Sequence, residues 1–345
     1  MIQSFTGRHS HLIAEIGVNH QGDVSRAANM ISAAAAAGCS SVKLQYYRSH
    51  RIASNHASAY WDTQHESSTS QSELFARYRM LTVPEIETLC NHAHDNGVDF
   101  GLSVFDVELV SEVSHIIDYF KVASGDITFA PLIKAISKTG KPTVFSTGAS
   151  KLDEVLRAVS LFYEHGTTDP IILQCTLNYP TDMADANIGS LTSLRLALPK
   201  LAVGVSDHIA NPDLLRFALA RALGAQVFEK HFSDTPGGVG NDHYHSFGLK
   251  EMRALVDILS STDGLLGSGN FMLDSEKAAR VGARRSIVYS KDCKKGTRLS
   301  GEDFDFLRPA IGMSPFELDQ LEGRILMEDV YKGDPVQHNS FTGDT

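Results

Sequence analysis

The sequence contains no apolar run long enough to cross a membrane. Stretches of about 18 or more consecutive apolar residues are absent, and the N-terminal segment "MIQSFTGRHSH" lacks the charged-then-apolar pattern of a secretion signal. These absences argue against a membrane-spanning or secreted protein. We therefore expect a cytoplasmic protein that has no membrane partner.

Cysteine is scarce as well. The four cysteines, Cys39, Cys90, Cys175 and Cys293, are scattered along the chain, and no two of them form a CxxC pair. This pattern is typical of reduced residues that pack in the interior, and not of a redox, metal-binding or catalytic motif.

Basic residues are outnumbered by acidic ones, 31 against 41, so the formal net charge is −10. Nucleic acids and anionic membrane surfaces both require a basic face, and neither is expected as a partner. A small anionic substrate remains compatible, because a few lysines in a cleft can outweigh the overall balance. The 345 residues suffice for one large α/β domain and a small one.

Eight apolar, strand-like runs alternate with helical segments. The runs are residues 11–16, 41–47, 99–105, 119–124, 142–147, 171–176, 201–208 and 226–232. Helix signals between them include a capping Asp23 with a terminal Gly38, Pro84 in a first turn and a capping Ser150. The alternation predicts a (β/α)8 TIM barrel of the α/β class. A doubly wound open sheet is the alternative, but no glycine-rich phosphate turn follows the first run.

Two segments fall outside this repeat. Residues 48–83 form a polar insertion that holds the only tryptophan, Trp61, and a long loop there would overhang the barrel mouth. From about residue 284 the chain shows short β runs, turn residues and no long helix. We predict a catalytic barrel over residues 1–270, a linker over 271–283 and a small β-rich domain over 284–345.

The predicted strands end in polar residues, as in "GVSDH" and "FEKHF". Active sites of TIM barrels lie at the carboxyl ends of the strands, so the polar residues at these ends are candidates for one shared site. The candidate set is Glu15, Asn19, His20, Lys43, Gln45, Ser103, Lys121, Ser124, Asp126, Ser146, Thr147, Thr176, Asn178, Tyr179, Ser206, Asp207, His208, Glu229, Lys230 and His231. So many charged and hydroxyl groups exceed what solvent contact alone explains.

Two histidines of this set, His208 and His231, end adjacent strands. Their rings are therefore expected to converge on one ion, and neutral imidazoles suit a divalent transition metal such as Mn²⁺ or Zn²⁺. Glu15 and water or substrate would complete the shell.

The lysines and hydroxyls of the set indicate an anionic ligand. Lys43 and Lys121, with Ser124, Ser146 and Ser206, suit a phosphate or a carboxylate better than a neutral sugar. Internal pairing of the lysines with Glu15, Asp126 or Glu229 is the alternative, because a buried ammonium needs a counter-charge. The glycine-rich loop "SDTPGGVGNDHYHS" carries Asp242, His243 and His245 and is suited to closing over a ligand.

Taken together, the motifs "LIAEIGVNHQGD", "AAGCSSVKLQYY", "FKVASGDIT", "QCTLNYPTDMADANI", "VGVSDH", "EKHFSD" and "GNDHYHS" closely resemble the N-acetylneuraminate (sialic acid) synthase family. The match runs from about residue 10 to 340. The segments "RRSIVYSKDCKKG" and "FLRPAIGM" resemble that family's antifreeze-like (SAF) domain.

The resemblance implies a carbon–carbon bond-forming transferase that condenses phosphoenolpyruvate with an N-acetylated hexose such as N-acetylmannosamine. The products would be a nonulosonic (sialic) acid and phosphate. His208 and His231 would hold Mn²⁺ or Mg²⁺, and Glu15 would place or deprotonate a water molecule. The residues that would bind substrate are Lys43, Gln45, Lys121, Ser124, Ser146, Asn178, Tyr179, Ser206, Glu229, Asp242 and Arg308. Arg308 would reach the sugar from the partner chain of a domain-swapped homodimer.

The sequence departs from the family pattern at a few positions. Leu177 stands where a small or polar residue is common, with Asn178 the nearest amide, Ser103 replaces a threonine, and "LQYY" replaces a Phe-Gln-Thr run. The acceptor is therefore open and includes precursors of legionaminic acid. Two other functions stay open: a carbohydrate-binding or regulatory relative without catalysis, and a metal-dependent pyruvate aldolase.

Overall fold

A computed structural model describes residues 10–167, 169–240 and 242–342. The chain divides into two compact units, Met1–Gly267 and Ser268–Thr345. Among the described residues, no helix combines the length and the apolar character that a membrane crossing requires.

The first unit is a closed barrel of eight parallel strands in sequential order, which confirms the predicted TIM barrel. The strands are β1 (His11–Gly17), β2 (Ser41–Tyr46), β3 (Asp99–Val104), β4 (Tyr119–Val122), β5 (Thr143–Ser146), β6 (Ile171–Cys175), β7 (Val203–Asp207) and β8 (Val227–His231). Barrel closure pairs β1 with β8, with Glu15 opposite His231.

Helices follow the strands. They are α1 (Val24–Ala37), α2 (Ser49–Ile52), α3 (Gln71–Ala76), α4 (Val83–Asp95), α5 (Val107–Val113), α6 (Ala130–Ser137), α7 (Leu152–Glu164), α8 (Ser190–Ala197), α9 (Leu215–Ala222) and α10 (Leu249–Leu266). Asp23 caps α1 through the amide of Arg26, and Gly38 ends it in the left-handed region, both as predicted. Ser150 was expected to cap α7, but the cap is Lys151, one residue later.

Side chains fill the lower half of the barrel. Inward-facing apolar residues of the strands form one buried cluster, comprising Ile13, Tyr119, Val144, Ile171, Leu173 and Val227. The ring of Tyr119 lies so close to Gly101 that a β-carbon there would stand 2.2 Å from it. This apolar floor leaves only the upper half, toward the carboxyl ends of the strands, for polar chemistry.

The second unit contains a helix, α11 (Lys277–Ala283), and two antiparallel strands, β9 (Ser286–Tyr289) and β10 (Phe304–Leu307). Its core is a separate buried cluster that includes Ile287, Leu299 and Leu326. A small domain with β structure was predicted here and is confirmed. The exact linker, residues 271–283, stays a prediction, and α11 begins inside it.

Candidate active site at the carboxyl end of the barrel

The last residues of β7 and β8 alternate between the inside and the outside of the barrel. Ser206 lies opposite Glu229, and Asp207 lies opposite Lys230. Because successive side chains of a strand point to opposite faces, Ser206, Glu229 and His231 face the interior. Asp207 and Lys230 face the surrounding helices. Their inclusion among the residues of the mouth is therefore wrong.

The outward pair belongs to a buried ionic network. Lys230 Nζ lies 2.7 Å from Asp207 Oδ2, and Arg216 of α9 donates two hydrogen bonds to the same carboxylate at 2.9 and 3.0 Å. Lys230 also donates to the carbonyl oxygen of Ile209 at 2.7 Å. Burial lowers the pKa of Lys230 to about 8, although Asp207 opposes that shift. The network ties the segment that follows His208 to the strand that carries His231.

The inward residues line a cavity of about 420 Å³ at the barrel mouth. Predicted site residues among its lining are Glu15, Lys43, Gln45, Ser103, Lys121, Ser124, Ser146, Tyr179, Ser206, His208, Glu229, His231 and Asp242. Besides Asp207 and Lys230, the predicted residues that do not line this cavity are Asn19, His20, Thr147, Thr176, Asn178 and Arg308. Asn178 is exposed, and its neighbour Leu177 lines the cavity instead. Arg308 is an exposed residue of the second unit, directly after β10.

Lysines and glutamates pair inside the cavity. Lys43 Nζ lies 2.5 Å from Glu15 Oε2 and donates to Ser103 Oγ at 2.7 Å. Lys121 Nζ lies 3.4 Å from Glu229 Oε1. Both glutamates thus pair with lysines, which is the alternative of internal pairing considered from the sequence. Asp126, the third acid considered, lines the cavity, and burial raises its pKa to about 6.

The two glutamates differ in their charge balance. Burial raises the pKa of Glu15, although Lys43 opposes the shift. Burial would also raise the pKa of Glu229, but the ammonium groups of Lys121 and Lys43 hold it at about 2. The surroundings therefore favour the carboxylate form of Glu229 more strongly than that of Glu15.

Some hydrogen-bond donors of the cavity have no partner among the described residues and are available to bind an anion. An ammonium has three donors, and the structure gives Lys121 one contact among the described side chains, at 3.4 Å. The hydroxyl of Ser146 is buried and has no hydrogen-bond partner in the described structure. Ser124 Oγ accepts from the amide of Gly148 at 3.0 Å, which fixes its hydroxyl at the cavity wall. Unused buried donors beside a cavity are typical of a ligand site.

Imidazoles converge at one side of the same cavity. The ring centres of His208 and His231 are 5.3 Å apart, so the predicted pair is brought together. His208 Nδ1 lies 3.1 Å from the carbonyl oxygen of Thr176, which fixes this nitrogen as the donor and leaves Nε2 as a free acceptor. Burial and the neighbouring His231 lower the pKa of His208 to about 3, so the ring is neutral.

A carboxylate and a third imidazole complete the cluster. Asp242 Oδ2 lies 3.3 Å from His231 Nδ1, and ligand-type atoms of His231, Asp242 and His245 all lie within 4.8 Å of one another. Both ring nitrogens of His245 are buried and without a hydrogen-bond partner in the described structure. Neutral imidazoles and a carboxylate are a donor set that suits a divalent transition metal. The residues therefore fit such an ion.

The insertion after β2 supplies a wall of the cavity, and sequence reasoning assigned it no residues of the site. Tyr60, Trp61, Phe75 and Tyr78 line the cavity from this segment. A bidentate ion pair between Arg77 and the buried Glu66, with both contacts at 2.6 Å, holds the segment together. The aromatic content of residues 48–83 was the only signal available.

The mouth of this TIM barrel combines lysine–glutamate pairs, serine hydroxyls and a cluster of imidazoles, and the carboxyl ends of the strands are where enzymes of this fold carry their active sites. The sequence model of the NeuB family matches residues 30–271, and that of the SAF domain matches residues 284–342. The chain therefore belongs to the NeuB family, the family of sialic-acid-type synthases, and the resemblance found in the sequence is confirmed.

Sequence alignments with two named relatives cover nearly the whole chain. The chain is 31% identical to N,N'-diacetyllegionaminic acid synthase of Legionella pneumophila, covering 93% of this chain and 92% of that one. It is 29% identical to pseudaminic acid synthase of Campylobacter jejuni, with coverages of 97% and 98%. A crystal structure of N-acetylneuraminic acid synthetase from Leptospira borgpetersenii, in complex with citrate, aligns with a TM-score of 0.70 and 27% identity. That alignment covers 79% of this chain and 91% of the other.

Proposed function

We propose that this protein condenses phosphoenolpyruvate with an N-acetylated hexose, N-acetylmannosamine or a related amino sugar, to give a nonulosonic acid and phosphate. The observation that carries the proposal is the cavity itself. Lys121 and Ser146 offer unused donors within a NeuB-family barrel, next to a histidine cluster that fits a divalent ion.

The lysines and serines account for phosphoenolpyruvate binding. Lys43 and Lys121 place two positive charges beside the hydroxyls of Ser124, Ser146 and Ser206, and the enol ester carries a phosphate and a carboxylate. Glu15 and Glu229 neutralise these ammonium groups in the free protein. An incoming anion takes up the donors that Lys121 keeps free, so binding does not require the pairs to break.

The reaction needs an electrophile and a water molecule. Carbon 3 of the enol attacks the aldehyde carbon of the sugar, water adds to carbon 2, and loss of phosphate leaves the 2-keto acid. Mn²⁺ or Mg²⁺ held by His208 and His231 would act as a Lewis acid toward the aldehyde oxygen. Glu15 accepts the proton of the added water, since its pKa is raised and Gln45 Nε2 fixes it at 3.2 Å.

The acceptor sugar is expected to contact the upper part of the cavity. Asp126 and Asp242 offer carboxylates for sugar hydroxyls, and the aromatic rings of Tyr60 and Trp61 offer flat apolar surfaces. Related proteins are named for synthesis of legionaminic and pseudaminic acids. We therefore include precursors of such nonulosonates among the acceptors.

The test uses the purified full-length chain with Mn²⁺, phosphoenolpyruvate and a panel of N-acetylated hexoses. Phosphate release is expected only when both substrates are present, together with a product whose mass equals the sugar plus one pyruvate unit. Pyruvate replacing phosphoenolpyruvate would indicate an aldolase instead. Absence of turnover with every sugar would contradict the proposal and favour a binding or regulatory role.

We further propose that the working unit is a domain-swapped homodimer in which Arg308 of one chain contacts the sugar in the other. Arg308 is exposed in the second unit, as such a role requires. Mixing equal amounts of inactive Arg308→Ala and Glu15→Gln chains should restore about a quarter of wild-type activity, because half of the dimers are then mixed and each mixed dimer carries one intact site out of two. No recovery after subunit exchange would contradict the arrangement.

A further inference from the structure

His245 is buried without a hydrogen-bond partner. Its exposed fraction is 0%, and neither ring nitrogen has such a partner within the described structure. The nearby carboxylate oxygen Asp242 Oδ1 lies 4.0 Å from Nε2, too far for a hydrogen bond. An imidazole always carries a donor or acceptor to satisfy, and buried polar groups are nearly always paired. Among the described residues, the hydrogen-bonding capacity of this ring is therefore unused.

His243, in the same 3₁₀ turn, provides the contrast. Its Nδ1 lies 2.7 Å from Ser233 Oγ, and its Nε2 lies 3.3 Å from Gln21 Nε2. Both nitrogens of His243 are thus used to hold the loop. The turn gives one histidine a structural role and leaves the other beside His231 without a hydrogen-bond partner in the described structure.

The ring of His245 is placed among the other imidazoles of the site. Its centre lies 4.5 Å from that of His231 and 5.8 Å from that of His208, and the interplanar angles are 63° and 84°. Imidazoles that bind one ion through nitrogen at about 2 Å have ring centres roughly 5 Å apart. The three distances among these rings bracket that value.

The loop is fixed to the strand that carries His231. The amide of Phe247 donates to the carbonyl oxygen of His231 at 2.8 Å, and the amide of Ser233 donates to that of Phe247 at 2.9 Å. Ser246 Oγ accepts from Asn19 at 3.1 Å. His245 is therefore held beside β8 by backbone pairing, which is the rigidity that a metal ligand requires.

We propose that His245 is a third imidazole ligand of the divalent ion held by His208 and His231. This inference rests on the metal site of the proposed function and adds a protein ligand to it. Three imidazole ligands favour borderline ions such as Co²⁺ and Zn²⁺ over Mg²⁺, which prefers oxygen ligands. The site should therefore bind Co²⁺ far more tightly than Mg²⁺.

The test is Co²⁺ binding to the chelator-stripped full-length protein, followed by the visible absorption of the bound ion. His245→Ala is expected to weaken Co²⁺ affinity by about tenfold or more and to change the absorption spectrum. His243→Gln, the matched control in the same turn, should keep the wild-type spectrum and an affinity within about twofold. Circular dichroism verifies that each variant is folded.

A second measurement needs no variant. In Co²⁺-loaded wild-type protein, three hyperfine-shifted imidazole N–H resonances are expected by proton NMR, and two would overturn the inference. Unchanged Co²⁺ affinity in His245→Ala would also overturn the inference about His245. In that case the proposed function would still stand, provided that the wild-type protein binds Co²⁺ and turns over its substrates. Failure of the wild-type protein to bind any divalent ion would refute the metal site of both proposals.

Discussion

The outer face of β7 and β8 and the inner face of the barrel mouth both bury polar side chains, but their hydrogen bonding differs. On the outer face, Lys230 and Arg216 both bind Asp207, and the spare donor of Lys230 reaches a backbone carbonyl. At the inner face, Ser146 Oγ of β5 is buried without a hydrogen-bond partner in the described structure, and so are the ring nitrogens of His245 in the loop after β8. A closed network stabilises the fold, whereas an open one requires a ligand.

The largest expected effect lies on the inner face. Lys121→Met should lower kcat/KM for phosphoenolpyruvate by about 10³-fold, since it removes the buried charge that we propose contacts the anion. The melting temperature should fall less than in a variant that breaks the outer network, because burial already disfavours the charge of Lys121 and lowers its pKa, and Glu229 keeps Lys43 and Ser206 as partners. Steady-state kinetics and calorimetry measure the two effects. A loss of stability with unchanged kinetics would place Lys121 with the structural network.

The outer face should respond in the opposite way. Lys230→Met leaves Asp207 buried with Arg216 as its remaining partner, and it should lower the free energy of unfolding by about 3–5 kcal/mol. Urea denaturation measures this change. The matched control is Lys277→Met, because the Lys277–Asp274 pair is exposed and should contribute less than about 1 kcal/mol. Equal stability of Lys230→Met and wild type would remove the distinction between the two faces.

The pH dependence of the free energy of unfolding tests how much the burial of the Asp126 carboxylate destabilises the fold. Burial raises its folded pKa to about 6 from an ordinary value of 3.8. Between these values the folded state holds a proton that the unfolded state has lost. Stability from this group is therefore fully present below pH 3.8 and is lost as the pH rises from 3.8 through the folded pKa of about 6, by about 3 kcal/mol in all.

The comparison is between wild type and Asp126→Asn, by urea denaturation at pH 4 and pH 7. Between pH 4 and pH 7, the free energy of unfolding of the wild type should fall by about 2 kcal/mol relative to that of the variant. Asp153→Asn, at an exposed position of α7, serves as the control. A pH-independent difference between wild type and Asp126→Asn would show that the carboxyl group is solvated and not desolvated by the cavity.

The smallest effect concerns Ser146. Its buried hydroxyl has no hydrogen-bond partner in the described structure, so Ser146→Ala should leave stability unchanged or raise it by up to about 1 kcal/mol. The KM for phosphoenolpyruvate should rise by about tenfold at most, since one hydrogen bond to the anion is lost. A marked drop in stability would mean that the hydroxyl serves the fold.

Much of the fold was predictable from sequence, for a physical reason. Strands buried on both faces appear as continuous apolar runs, and the eight predicted runs match β1 to β8 within two residues at each end. Parallel strands place their carboxyl ends together, so the polar residues that end these runs already include most of the cavity lining contributed by the strands.

Other features of the site could not be predicted from the sequence or were predicted wrongly. The outward orientation of Asp207 and Lys230 follows from the two-residue period of a strand, and applying that period would have separated them from the mouth. The burial of His245 depends on how the loop pairs beside β8, which no local pattern reveals. The aromatic wall from residues 48–83 likewise depends on tertiary packing of a segment that has little periodicity.

The most direct test of the central claim is a calorimetric titration of phosphoenolpyruvate into the Mn²⁺-loaded protein. The open inner face should bind one molecule per chain in the wild type, and Lys121→Met should abolish that binding. Lys277→Met should bind as the wild type does. Equal binding by wild type and Lys121→Met, or no binding by either, would contradict the account.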